Sequence, residues 1–182
     1  MIGPALALVL SFMALPQALA QQTAERNALP ASAEGRLKAL KIELPLPPTP
    51  FGAYVEAVQT GSLLFLSGTL PVENKKPKYL GVIGKNLSLE QGRQAARLAC
   101  LNALAVAREH LGSLDRVTKV VRLGVSQVTT AEFKDQPKVA DGASDLLVDV
   151  FGKDKTSTRI VQGMATLPLG MPVEIEMILE VR

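Results

Sequence analysis

The stretch that most limits what this chain can become is its last, Thr158 to Arg182, TRIVQGMATLPLGMPVEIEMILEVR. From Val173 onward it alternates. Val173, Ile175, Met177, Leu179 and Val181 fall on one side, and Glu174, Glu176 and Glu180 on the other. That period of two marks a strand with one face buried and one wet. Before it, Arg159 to Thr166 reads as another strand, and Pro168, Gly170 and Pro172 supply turn chemistry between the two. The pattern predicts a C-terminal hairpin: strand Arg159–Thr166, turn Leu167–Pro172, strand Val173–Val181. With Gly163 opposite Glu174, Arg159, Val161, Glu174 and Glu176 would share one face. One guanidinium would then lie within reach of two carboxylates or of a ligand. The plain alternative is a cross-strand ion pair between Arg159 and Glu174 or Glu176.

Such a strand needs a sheet and something to cover it. Gly52 to Val58 reads as a first strand, Gln59 to Ser62 as a turn, and Leu63 to Gly68 as a second strand. The nearly continuous apolar run of that second strand predicts burial on both faces. Thr69 to Gly84 is broken by Pro71, Asn74 and Pro77 and kept wet by Lys75, Lys76 and Lys78, so it reads as a loop. Ser88-Leu89-Glu90-Gln91 is a capping box that starts a helix running to Gly112. Ala95, Leu98, Ala99, Leu101, Ala105 and Val106 share its apolar face, with Arg93, Arg97 and Arg108 opposite. Arg116 to Val128 is a third strand, with Val117, Val121, Leu123 and Val125 on one side. A second helix runs from about Pro137 to Phe151, packing through Val139, Leu146, Leu147 and Val150. The order strand, strand, helix, strand, helix, strand, strand gives an α+β domain, two helices on one face of a mostly antiparallel sheet. The sheet's other face then calls for oligomerisation.

The remaining sequence sets boundaries and excludes chemistries. Met1 to Ala20 is apolar, without a charged side chain, and ends in Ala18-Leu19-Ala20, the small-x-small pattern of a cleaved secretory signal. The expected location is periplasmic or secreted, with no membrane segment after cleavage. Residues 21–50 form an extension: a mobile lead-in, a short helix over Ala33 to Leu40 capped by Ser32, and an extended connector through Pro45, Pro47, Pro48 and Pro50. The main domain spans 51–182. A net charge of +3, 4% aromatic residues and no Trp give neither the basic stripe nor the stacking platforms of a nucleic-acid surface. One Cys and one His exclude an intrachain disulfide and the usual zinc spacings. His110, at a helix end just before Leu111-Gly112, fits a capping role, and Cys100, beside Ala99 and Leu101, a small buried hydrophobe.

GAYVEAVQTGSLLFLSGTLPV, then TRIVQGMATLP and VEIE, in that order around the helices, resemble the RidA/YjgF reactive-intermediate deaminase superfamily, whose members are also labelled endoribonuclease L-PSP. EGRLKALKIELP upstream and DQPKVADGASDLLVDVFG in the second helix resemble a distinct subgroup. The likeness covers about Glu34 to Arg182. It implies a chorismate-mutase-like fold and a homotrimer with ligand clefts between subunits. It also implies substrates that are small carboxylate-bearing imines, hydrolysed to keto acids and ammonia without a cofactor. Arg159 matches the arginine of the family's Pro-Ala-Arg-Ser motif, which grips the substrate carboxylate, as a planar guanidinium can do bidentately. Glu174 matches the glutamate that activates water, and Tyr54, Ser67 and Gly68 match residues lining the cleft. This chain departs from the pattern. The motif reads Ser157-Thr158-Arg159-Ile160, Val161 stands where a cysteine is frequent, and Asp141 stands where the family carries an asparagine.

The resemblance and its departures leave three functions open. One is a 2-imino/2-enamino acid deaminase, with Arg159 as anchor and Glu174 for water. A second is a trimeric binder of small carboxylates without turnover, which Val161 and the export signal favour. The third, RNA cleavage, has neither a basic stripe nor an acid–base His pair to support it.

Overall fold

The computed structural model describes residues 29–182; the expected signal segment, 1–20, and most of the lead-in lie outside the described residues. Among the described residues, seven strands and three α-helices follow in order: α1 (Ala33–Ala39), β1 (Ala57–Thr60), β2 (Leu63–Thr69), β3 (Val72–Glu73), β4 (Lys76–Pro77), α2 (Leu89–Leu111), β5 (Val117–Gln127), α3 (Gln136–Phe151), β6 (Thr158–Gly163) and β7 (Val173–Val181). The main sheet has the order β1-β2-β7-β5-β6, antiparallel except for the parallel pair β5–β6, and α2 and α3 cover one face. The fold class is α+β, as the element order predicts.

Local signals place the helices. Ser88 and Gln91 form both halves of the capping box at the start of α2 (Gln91 N–H to Ser88 Oγ 3.2 Å; Ser88 N–H to Gln91 Oε1 2.9 Å), and the helix stops at Gly112. Ser32 caps α1 by accepting from the Gly35 N–H. Val139, Leu146, Leu147 and Val150 of α3 are all buried. The stripe expected for α2 is only half right: Leu98 and Leu101 are partly buried, while Cys100, Ala103, Leu104 and Ala107 lie in the core. This helix is enclosed from two sides, by the sheet and by α3. The two helices meet so closely that a Cβ on Gly142 would strike the Arg93 carbonyl.

The predicted C-terminal hairpin does not form. The strand that starts at Thr158 ends at Gly163, and β5 lies between it and β7. Gln127, at the end of β5, pairs with Gly163 on one side and Val173 on the other. Residues 164–172 therefore arch over the end of β5 instead of folding back. Alternation reports which side chains face the core, but not which strand is the neighbour, and a parallel β5–α3–β6 crossover needs only a helix long enough to span it.

Other boundaries shift for local reasons. The first strand starts at Ala57, not Gly52, and the second is buried on one face only, with Phe65 exposed on the other. Register shifts in the β5–β7 ladder turn Val120 inward and Val121 outward, against the expected alternation. The loop after β2 contains a small hairpin, β3–β4, turned through Asn74 and Lys75 at φ 52° and 62°. Helix α1 belongs to the packed body. Ala33 and Leu37 join the core, and Arg36 donates to the carbonyls of Asp149 (2.7 Å) and Val148 (3.4 Å) near the end of α3.

Candidate functional site

Strand β2 breaks its ladder to β7 between Leu66 and Thr69, which frees Ser67 and Gly68 from pairing. Ser67 uses that freedom to hold the approach to β1. Its Oγ donates to the Val55 carbonyl at 2.7 Å, and its N–H donates to the Glu56 carbonyl at 2.9 Å. Thr69 anchors the other end of the bulge, its buried Oγ1 donating toward the carbonyls of Ala99 and Ile175. Tyr54 stands beside this bulge, its hydroxyl accepting from the Phe51 N–H at 3.2 Å. Tyr54, Ser67 and Gly68 line one depression together with Pro48 and Phe51. Glu174 reaches the same place from β7: a Cβ on Gly68 would run into its carboxylate. Only glycine leaves room for that carboxylate there.

The Glu174 carboxyl is half-buried, and its pKa is raised, first by that burial and then by the negative charge of Glu176. Glu176 itself lies 3.5 Å from Arg122 of β5. The ion pair offered as the plain alternative, Arg159 with Glu174 or Glu176, does not form, for a geometric reason. Arg159 pairs with Leu123, whose side chain is buried under the helices, whereas Glu174 pairs with Ser126 on the uncovered face. The two side chains leave opposite sides of the sheet, with β5 between their strands.

Arg159 instead meets α3. Its Nη1 donates to Asp141 Oδ1 at 2.7 Å and to Ser144 Oγ at 3.0 Å. Both contacts use one nitrogen, so the Nε–Nη2 edge has no partner among the described residues. A guanidinium held at one corner keeps the flat, two-donor edge that matches a carboxylate. Val161, half-buried, follows on the same face.

The six residues singled out from sequence thus fall into two groups. Tyr54, Ser67, Gly68 and Glu174 converge on the β2 bulge, and Arg159 and Asp141 converge at the β6 edge. Ser144 was missed, although its place three residues after Asp141 puts both on one helix face. His110 is exposed in the last turn of α2. Cys100 is buried, and burial pushes its thiol up to about 12, so it is an inert packing group. Among the described residues, no three His, Cys, Asp or Glu side chains gather as metal ligands, and no helix is long and apolar enough to cross a membrane.

The chain is similar to several known proteins. The family model described as YjgF/chorismate mutase-like, with an endoribonuclease label, matches residues 34–180. Protein TCP17 of Trypanosoma cruzi is 37% identical over 79% of this chain and 91% of its own length. A 2-iminobutanoate/2-iminopropanoate deaminase of Dermatophagoides farinae is 29% identical over 75% of this chain and 92% of its own. A crystal structure from Shewanella oneidensis MR-1, also labelled an endoribonuclease, superposes with a TM-score of 0.80 at 32% identity, covering 82% of this chain and 99% of that one.

Proposed function

The chain belongs to the YjgF/chorismate mutase-like family, and on that premise we propose that it hydrolyses small 2-imino or 2-enamino acids to 2-keto acids and ammonia in clefts between copies of itself. The observation that carries this reading is the Arg159 guanidinium, fixed through Nη1 with its carboxylate-binding edge left open. The separation of the two groups supports the intersubunit part. Neighbouring strands are about 4.8 Å apart, and Arg159 and Glu174 sit on opposite faces two strands apart, so one copy cannot close both around a small molecule. Two copies can, one offering Arg159 and the other Glu174 with Tyr54 and Ser67. The open sheet face, with Val58, Phe65, Val121 and Ile160 exposed, supports assembly with further copies, which the family resemblance makes three.

In the proposed reaction the substrate carboxylate lies along the Nε–Nη2 edge of Arg159, which fixes the imine plane. Glu174 takes a proton from a water as its oxygen attacks the imine carbon, and passes that proton to the nitrogen, giving the carbinolamine. The hydroxyl proton then moves through Glu174 to the nitrogen, the C–N bond breaks, and ammonia leaves as the keto acid forms. A raised pKa makes the Glu174 carboxylate a stronger base than an ordinary carboxylate. Val161 favours a second reading, capture of small carboxylates without turnover, because it sets an apolar side chain on the face that Arg159 uses. The apolar first 20 residues, ending in Ala18-Leu19-Ala20, support a periplasmic or secreted location.

The test uses 2-iminopropanoate generated by an amino-acid oxidase, with keto-acid release followed against spontaneous hydrolysis. Acceleration should fall by about 10²-fold or more in Arg159→Ala, the scale for losing a desolvated charge pair. No acceleration, with 2-keto acids still raising the melting temperature in an Arg159-dependent way, would establish the binding protein instead.

A further inference from the structure

A second cavity lies on the other side of the proline-rich connector, remote from Arg159. It encloses about 350 Å³ between residues 45–51, the β3–β4 hairpin and α2, within the range of small-ligand pockets. Pro45, Pro47, Pro48, Phe51 and Val72 supply apolar walls. Proline fixes its own φ, so those walls lose little freedom when something fills the space.

Its polar groups are few and distinct. Asn102 of α2 lines the cavity and is only 1% exposed. Its Nδ2 donates to the carbonyls of Leu70 (2.8 Å) and Val72 (2.9 Å), which settles the orientation of the amide. Oδ1 therefore faces away from those carbonyls, and no described residue donates to it. It is not sealed in the core either: the one enclosed side-chain atom without a partner, among the described residues, is Gln127 Oε1. At the rim, Glu73 is neutralised by Lys78 at 2.6 Å, while Lys75 has no ion partner among the described residues. The cavity thus combines an apolar slot, one waiting acceptor and one uncompensated cation.

We propose that this cavity binds an amphipathic organic acid: an apolar ring body, an N–H or O–H donor for Asn102 Oδ1, and an anionic group for Lys75. Pro48, Thr49 and Phe51 line both this cavity and the depression holding Tyr54 and Ser67. An occupant here shares a wall with the candidate cleft without using Arg159.

Indole-3-acetate carries all three groups, and the chain has no Trp to mask its fluorescence. Titrated with full-length protein, it should show a saturable blue shift and rise in anisotropy. 1-Methylindole-3-acetate, which lacks the N–H, should bind roughly three- to tenfold more weakly, the worth of one hydrogen bond. Lys75→Gln, on an exposed turn, should weaken the parent probe by a similar factor, and Arg159→Ala should leave it unchanged. The proposal is overturned by absence of saturable binding, by equal affinity for the two probes, or by indifference to Lys75→Gln. Loss of binding in Arg159→Ala would also overturn it, by locating the probe at the β6 edge. Because this readout involves no imine, it stands or falls separately from deaminase activity.

Discussion

Arg159 and Glu174 carry opposite charges in opposite circumstances. The guanidinium sits at an edge strand, held by a carboxylate and a hydroxyl from one helix face. The carboxylate sits beside a strand bulge, half-buried, with another carboxylate close enough to raise its pKa. One charge is held at a single corner with its other edge open; the other is crowded and short of compensation. Binding a ligand's carboxylate calls for the first condition and moving a proton for the second, so the contrast divides the labour before any substrate arrives.

Changing the crowded side should have the largest effect. Glu174→Gln should lower kcat by about 10²- to 10⁴-fold, as for a removed general base, with KM little changed. The same substitution should raise the melting temperature at neutral pH. A raised pKa means that the folded chain holds this proton more tightly than the unfolded chain. Its stabilising contribution is complete below the ordinary carboxylate range and is lost as pH climbs through the raised value. An amide escapes that loss, and a lower melting temperature would contradict the picture of a crowded carboxylate.

Gly68→Ala comes next. The new methyl would displace the Glu174 carboxylate, and a misplacement of about 1 Å costs on the order of 10²-fold in rate. Kinetics with an unchanged circular-dichroism spectrum would separate this from unfolding. On the Arg159 side, Ser144→Ala should raise KM roughly three- to tenfold, one hydrogen bond's worth, and leave kcat intact. A fall in kcat alone would mean that Ser144 does more than orient Arg159. The mildest change, Glu176→Gln, removes the second cause of the raised Glu174 pKa. The acid limb of the pH–rate profile should move to lower pH with the plateau unaltered.

Much of this was legible in the sequence because it is local. The capping box at Ser88, the Ser32 cap, the stripe on α3 and the alternation of β7 depend on residues within a few positions of each other, and all four are found in the structure. Strand adjacency is not local. Nothing in TRIVQGMATLP says that β5 will come between β6 and β7, and the error reversed the face assigned to Arg159. The bulge at Ser67 escaped for a similar reason, since it depends on the pairing of β2 with a strand more than a hundred residues away. Asp141 was recognisable only through family resemblance. Its partner Ser144 becomes visible once Arg159 is known to face α3.

The sheet order also governs how the molecule can be assembled in time. The last of the seven strands in sequence, β7, occupies the middle of the sheet, with β2 on one side and β5 on the other. Without β7, β1–β2 and β5–β6 are two separate ribbons, each with a bare inner edge. Both wait for the same late segment. Closing the sheet then depends on long-range pairings such as Leu64 with Leu179, whose loop-closure entropy must be met before their contacts form. Until β7 arrives, those edges are open to strands from other copies. A chain truncated before Val173 should keep both inner edges bare and aggregate.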